Sequence, residues 1–159
     1  MAGAISSGID NEKDRERMRL ALRAAAEAHA VGEVPVGAVI FAEDELIGRA
    51  YNQRETLQDP TAHAEMLAIT QAAAALGTWR LEGCCLYVTL EPCPMCAGAI
   101  AQARLRRLVY GAPDPRIGAC GSVLNIFACE RINHTVEVVA GILADECGIL
   151  LRQFFAERR

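Results

Sequence analysis

The sequence predicts an α/β fold of three layers, with helices on both faces of a mostly five-stranded mixed sheet. Three observations carry that expectation. Apolar residues make up 52% of the 159-residue chain, enough to cover both faces of a sheet. Near-continuous apolar runs such as VPVGAVIF (34–41) read as strands covered on both sides. Stretches with helical spacing of apolar residues alternate with those runs.

Residues 1–12 are expected to form a flexible tail and residues 13–159 a single domain. Residues 14–31 place Met18, Leu22, Ala25 and His29 on one helical face, and Gly32 supplies a stop. Residues 34–41 and Leu46 to Tyr51 read as a hairpin turning at Glu43-Asp44. Asn52 to Asp59 is a polar loop. Asp59-Pro60 then reads as the cap and first turn of a second helix. Its expected buried stripe is Ala62, Met66, Ile69, Ala73 and Leu76, and Gly77 ends it. Cys84 to Leu90 is a buried strand. Pro94 starts a third helix, where Ala97, Gly98 and Ala101 allow close packing on a sheet. A short strand at Leu108 to Tyr110, a Gly/Pro loop from Gly111 to Gly121 and a short helix near Val123 to Ala128 follow. Val136 to Val139 forms the last strand. Leu143, Cys147, Leu150 and Phe154 line the final helix.

No apolar run approaches the ~20 residues that cross a bilayer. The first 18 residues lack a basic start followed by an apolar stretch, so no secretory signal or membrane association is expected, and a cytoplasmic location is. Seven cysteines without a secretion signal argue against a disulfide framework. Cys84, Cys85, Cys120, Cys129 and Cys147 read mostly as buried thiols. The net charge of −4 is uneven, with −6 over residues 1–103 and +2 over 104–159. Fifteen of the sixteen basic residues are arginine, a bias that suits phosphate and base contacts but equally follows from a GC-rich genome.

The chemistry concentrates in His63-Ala64-Glu65 and Pro92-Cys93-Pro94-Met95-Cys96. One imidazole and two thiolates hold zinc and leave a fourth position open for water. Residues two apart on a helix point roughly 200° away from each other. His63 and Glu65 can therefore share a site only over a helix end, and the metal is expected between two helix N-termini, whose partial charge favours thiolates. Two thiolates cancel the formal charge of zinc, so bound water is acidified less than by three histidines, and a nearby base is needed. Glu65 fits that role, since it would take a proton from the activated water and pass it to the ring nitrogen beside the attacked carbon. A lone CxxC is also compatible with a redox pair or a structural zinc site, but neither explains His63 and Glu65. His29 and His134 lack a comparable setting.

The pattern H-x-E…P-C-x-x-C resembles the zinc nucleobase deaminases. The blocks VPVGAVI (34–40), DPTAHAEM (59–66), LYVTLEPCPMCAGAI (86–100), YGAPDPRIGACGS (110–122) and GILADECGILLRQFF (141–155) narrow the resemblance to bacterial tRNA adenosine deaminases of the cytidine deaminase-like superfamily. It implies a homodimer with one zinc ion (Zn2+) per subunit. The implied activity is hydrolytic deamination of adenosine to inosine at the wobble position of a tRNA anticodon stem-loop. His63, Cys93 and Cys96 correspond to the metal ligands and Glu65 to the proton shuttle. Asn52 matches an asparagine that contacts the flipped nucleotide; a turn residue is its alternative. Asp114 and Arg116 match a loop near the anticodon, here stiffened by Pro113 and Pro115. Arg158-Arg159 reads either as a phosphate contact or as a solvated helix end. Two other readings stay open: a deaminase of free guanine, cytosine or nucleosides, and a non-catalytic zinc-binding interaction module.

Overall fold

Alternation along the strands builds the layers. The structure, a computed structural model, describes residues 5–6, 12–132 and 134–158. Five strands form the body of one mixed sheet: β2 (Gly37–Ala42), β3 (Glu45–Tyr51), β4 (Cys84–Leu90), β5 (Arg107–Ala112) and β6 (Glu137–Ala140). A two-residue strand, β1 (Ile5–Ser6), pairs in parallel with β6 at one edge, giving the order β1-β6-β5-β4-β2-β3. It falls inside the tail expected over residues 1–12, most of which lies outside the described residues. The β2–β3 hairpin is antiparallel, β2 is antiparallel to β4, and β4, β5 and β6 run parallel.

Successive strand side chains point to opposite faces. Ala38, Ile40, Leu86, Val88, Leu108, Tyr110 and Val138 face α3 (Ala64–Leu76) and α4 (Pro94–Gln102). Their neighbours Val39, Phe41, Cys85, Tyr87, Val109 and Val139 face α1 (Glu12–Ala30) and α5 (Ala144–Ala156). Helix α1 crosses β2 so closely that a Cβ on Gly37 would lie 2.0 Å from the Ala21 carbonyl oxygen. Its buried stripe is Met18, Ala21, Ala24, Ala25 and Ala28, with Leu22 and His29 at the margins.

Three expectations need correction. The loop from Asn52 to Asp59 contains a one-turn helix, α2 (Arg54–Leu57). Helix α3 begins at Ala64, not at Pro60. Asp59 does cap, but it caps a turn: its Oδ1 accepts from the Thr61 N–H and the Thr61 hydroxyl, both at 2.8 Å. The buried stripe of α3 is Ala64, Glu65, Ala68 and Ala72, not the larger apolar residues. Alanines let the helix axis approach the sheet, and Met66 and Ile69 are left half-buried at its sides. Gly77 closes α3 with φ of 69°.

Candidate active site

Both motifs sit at helix starts. His63 is the residue before α3, with extended backbone (φ −72°, ψ 152°), and Glu65 is the second residue of that helix. Cys93 stands in the same position before α4 (φ −75°, ψ 174°), with Pro94 at the first helical position. The late start of α3 matters here. His63 and Cys93 are the cap residues of their helices, and Glu65 and Cys96 lie in the first turns, so all four stand at the two helix starts.

The structure brings the three candidate ligands together. His63 Nδ1 lies 3.7 Å from Cys93 Sγ and 3.5 Å from Cys96 Sγ, and the three donor atoms fall within 4.8 Å of one another. The spacing suits a small tetrahedral ion. Bonds of about 2.3 Å to sulfur and about 2.0–2.1 Å to nitrogen at tetrahedral angles separate S and N by roughly 3.5 Å. Two thiol sulfurs and one imidazole are also the donor set preferred by zinc over harder cations. The three groups share protons unequally. The hydrogen bond from Cys96 pulls the Cys93 thiol well below the ordinary range, against burial and with help from His63. Its bond to Cys93, and then burial, push the Cys96 thiol up. The bond to Cys93 likewise raises the His63 imidazole, against burial.

Glu65 is 4% exposed. Burial is the main cause that pushes its carboxyl up to about 7, partly opposed by its own backbone N–H and by His63. A carboxyl with that value both takes and gives a proton near neutrality. Two polar loops flank the cluster. Gln53 N–H donates to the Ala62 carbonyl at 3.0 Å, tying the α2 loop to the approach to His63. Ala119 N–H donates to the Pro92 carbonyl at 2.9 Å, tying the segment after β5 to the approach to Cys93.

The remaining candidates lie on these loops or away from them. The buried Asn52 donates from Nδ2 to the Val34 carbonyl and accepts the Arg54 N–H at Oδ1, both at 3.2 Å. Asp114 Oδ1 accepts the Arg116 N–H at 3.0 Å and so shapes the turn between the two prolines. The Arg116 side chain is exposed and has no hydrogen bond or ion pair among the described residues. Arg158 is engaged internally: its guanidinium stacks on Phe154 at 3.5 Å and donates to the Gly32 carbonyl at 3.2 Å. Arg159 lies outside the described residues. Of the five remaining cysteines, only Cys129 is exposed, and all five are free thiols.

Two further residues anchor the loops and were not singled out by motif. Glu33, 1% exposed, accepts the Glu55 N–H at 3.2 Å and the Thr56 N–H at 2.6 Å. Glu91, 2% exposed, holds the segment after β5. The one hint in the sequence is a carboxylate ending the apolar run of β4 directly before Pro92-Cys93.

The fold and this cluster define a deaminase of the cytidine deaminase-like class. The chain belongs to the family described as MafB19-like deaminase, which residues 12–159 match. It is 53% identical to the tRNA-specific adenosine deaminase of Bacillus subtilis (strain 168), over 92% of this chain and 91% of that protein. A structure solved in a study of A-to-I editing by tRNA:A34 deaminases at the wobble position of transfer RNA superposes with a TM-score of 0.83. That match has 46% identity and covers 86% of this chain and 99% of the other. A guanine deaminase from Nitrosomonas europaea also superposes, with a TM-score of 0.76 and 27% identity over 96% of this chain and 87% of its own. No helix among the described residues is long and apolar enough to cross a membrane.

Proposed function

We propose that this chain converts adenosine to inosine at the wobble position of a tRNA anticodon, acting as a cytoplasmic homodimer through its 13–159 domain. The observation that carries the reading is the convergence of His63, Cys93 and Cys96 with the buried Glu65 beside them. The identity to tRNA-specific adenosine deaminases over nearly the whole length supports the substrate. His63 Nδ1 and the sulfurs of Cys93 and Cys96 would hold one zinc ion, which when bound supplies Lewis-acid activation of the attacking water. Glu65 takes a proton from that water and delivers it to the ring nitrogen beside the amine-bearing carbon. Glu65 then takes the second proton from the hydroxyl newly bound to that carbon and passes it to the amine, which leaves as ammonia as the carbonyl forms. Adenosine and water thus become inosine and ammonia. Asn52, Asp114 and Arg116 stand on the two flanking loops, where they would meet the nucleotide and its neighbours.

The target base must leave its stack, which an anticodon loop makes easy because its bases are already unpaired. Four of the fifteen arginines are engaged within the chain on Asp14, Asp44, Glu27 and the Gly32 carbonyl, and the net charge is −4, so the basic surface offered to phosphate is modest. Affinity should therefore depend only shallowly on salt.

A second reading, deamination of free guanine, is favoured by the fold shared with the Nitrosomonas enzyme. Pure protein incubated separately with an anticodon stem-loop and with free guanine, cytosine and adenosine separates the two. Inosine in the stem-loop with ammonia release supports the tRNA reading. Xanthine from guanine with an unchanged stem-loop overturns it.

A further inference from the structure

Glu91 is the last residue before the Pro92-Cys93 turn, and its carboxylate is closed off from solvent. Both of its oxygens are taken by the segment that follows β5. Oε1 accepts the Asp114 N–H at 3.0 Å and the Ser122 hydroxyl in a short contact. Oε2 accepts the N–H of Cys120 at 3.0 Å and of Ser122 at 3.1 Å. No cation pairs with it among the described residues. The donors come from the two ends of one loop, residues 114 and 122, so a single side chain draws that loop shut.

The packing is equally specific. A Cβ on Gly118 would lie 2.4 Å from Glu91 Cδ and 2.5 Å from the Asp114 carbonyl oxygen, so the loop folds directly over the carboxylate. The Gly118 N–H donates to that same Asp114 carbonyl at 2.9 Å. Asp114 then turns its own side chain to the Arg116 N–H. Arg116 is thereby held at the outer rim with its guanidinium unengaged.

We infer that Glu91 is a positioning residue for substrate recognition: it ties the 114–122 loop to the turn that carries Cys93, and so sets the wall against which the RNA docks. This rests on the tRNA reading for its substrate. The contact chain from Glu91 to Arg116 stands independently of it.

The test uses the full-length protein and two readouts. Glu91→Gln replaces one acceptor oxygen with an NH2 donor facing backbone donors, so the loop should open. Limited trypsin digestion should then cut after Arg116 at least about tenfold faster than in the parent, without any substrate present. With the stem-loop, KM should rise about tenfold or more while kcat falls less than about threefold. Zinc content should match the parent. If Glu91→Gln does not fold, Ser122→Ala gives the same comparison, since it removes one donor and leaves the backbone intact; it should show both changes in smaller degree. Unchanged cleavage after Arg116 in a folded variant overturns the anchor. Faster cleavage with an unchanged KM overturns its role in recognition. Stem-loop inactivity of the parent protein, with faster cleavage in the variant, places the failure in the tRNA reading instead.

Discussion

Glu65 and Asp14 are both buried carboxylates, on opposite faces of the same sheet, and the protein treats them in opposite ways. Asp14 is 1% exposed and surrounded by donors. Arg107 grips it with two forked hydrogen bonds of 2.7 and 2.8 Å, and Tyr87 donates at 2.8 Å. Burial works to raise its carboxyl, but the bonds from Arg107 and Tyr87 and the charges of Arg107 and Arg17 outweigh it and hold the group below the ordinary value. Glu65 has no guanidinium to grip it; its backbone N–H, His63 and Cys96 oppose burial only in part, and burial wins. A carboxylate with fixed partners stores stability; one left short of partners in a closed site keeps its proton exchangeable.

The sharpest way to break this contrast is to remove each group in turn. Glu65→Ala should lower turnover by about 10²–10⁴-fold. Zinc content should stay at the parent level, because Glu65 is not one of the converging donors. Thermal stability should hold or rise, since a carboxylate whose burial outweighs its contacts is lost. Single-turnover kinetics with metal analysis and a melting curve check all three. Comparable turnover in Glu65→Ala would remove the proton-transfer role.

Asp14→Ala should do the reverse. It removes the forked partner of the Arg107 guanidinium, whose side chain is 15% exposed, and leaves it the Tyr87 hydroxyl at 3.3 Å and the half-exposed Glu137 at 3.6 Å. Breaking a buried pair from one side costs about 3–5 kcal/mol, so urea unfolding should show a loss of that size. The kcat of the remaining folded protein should change little, because Asp14 lies across the sheet from the cluster. A loss below about 1 kcal/mol would mean that the pair behaves like a surface ion pair.

The same contrast should appear in pH dependence. Asp14 is depressed in the folded state, so its stabilisation is present above the unfolded value near 3.8 and fades as pH falls through the folded value. Between pH 5 and more acidic conditions the parent should therefore lose stability more steeply than Asp14→Asn. Parallel acid-unfolding curves for the two proteins would show that other carboxylates carry the slope.

What could be read from sequence follows the same division. The strands were legible because alternation and apolar runs are local; Cys84–Leu90 matches β4 at both ends. The candidate ligands stood out because a metal demands set residue types at set spacing, and the structure brings His63, Cys93 and Cys96 together. The start of α3 was misplaced because Asp59-Pro60 is a good local cap signal that Thr61 diverts into a turn. Its buried face was misread because close packing selected alanines over the larger apolar residues. Glu33 and Glu91 left no motif, since their partners are backbone N–H groups of distant loops, which any residue type supplies.

The smallest expected effect sharpens the comparison most, because Glu33 stands between the two extremes. Like Asp14 it is buried and held low: burial acts to raise it, but the Thr56 hydroxyl and the N–H groups of Thr56 and Glu55 prevail. Like Glu65 it stands beside the candidate site, since the loop it grips also carries Asn52 and connects to Ala62. Glu33→Gln keeps one acceptor and loses another, at about 1–3 kcal/mol for a buried group left unsatisfied. If partnering alone decides a carboxylate's role, the variant should lose stability in that range and raise KM only through a looser α2 loop, with kcat unaffected. Urea unfolding and stem-loop kinetics on one preparation measure both. A fall in kcat that matches the rise in KM would show that nearness to the cluster, and not only the supply of hydrogen-bond donors, determines what a buried carboxylate does in this fold.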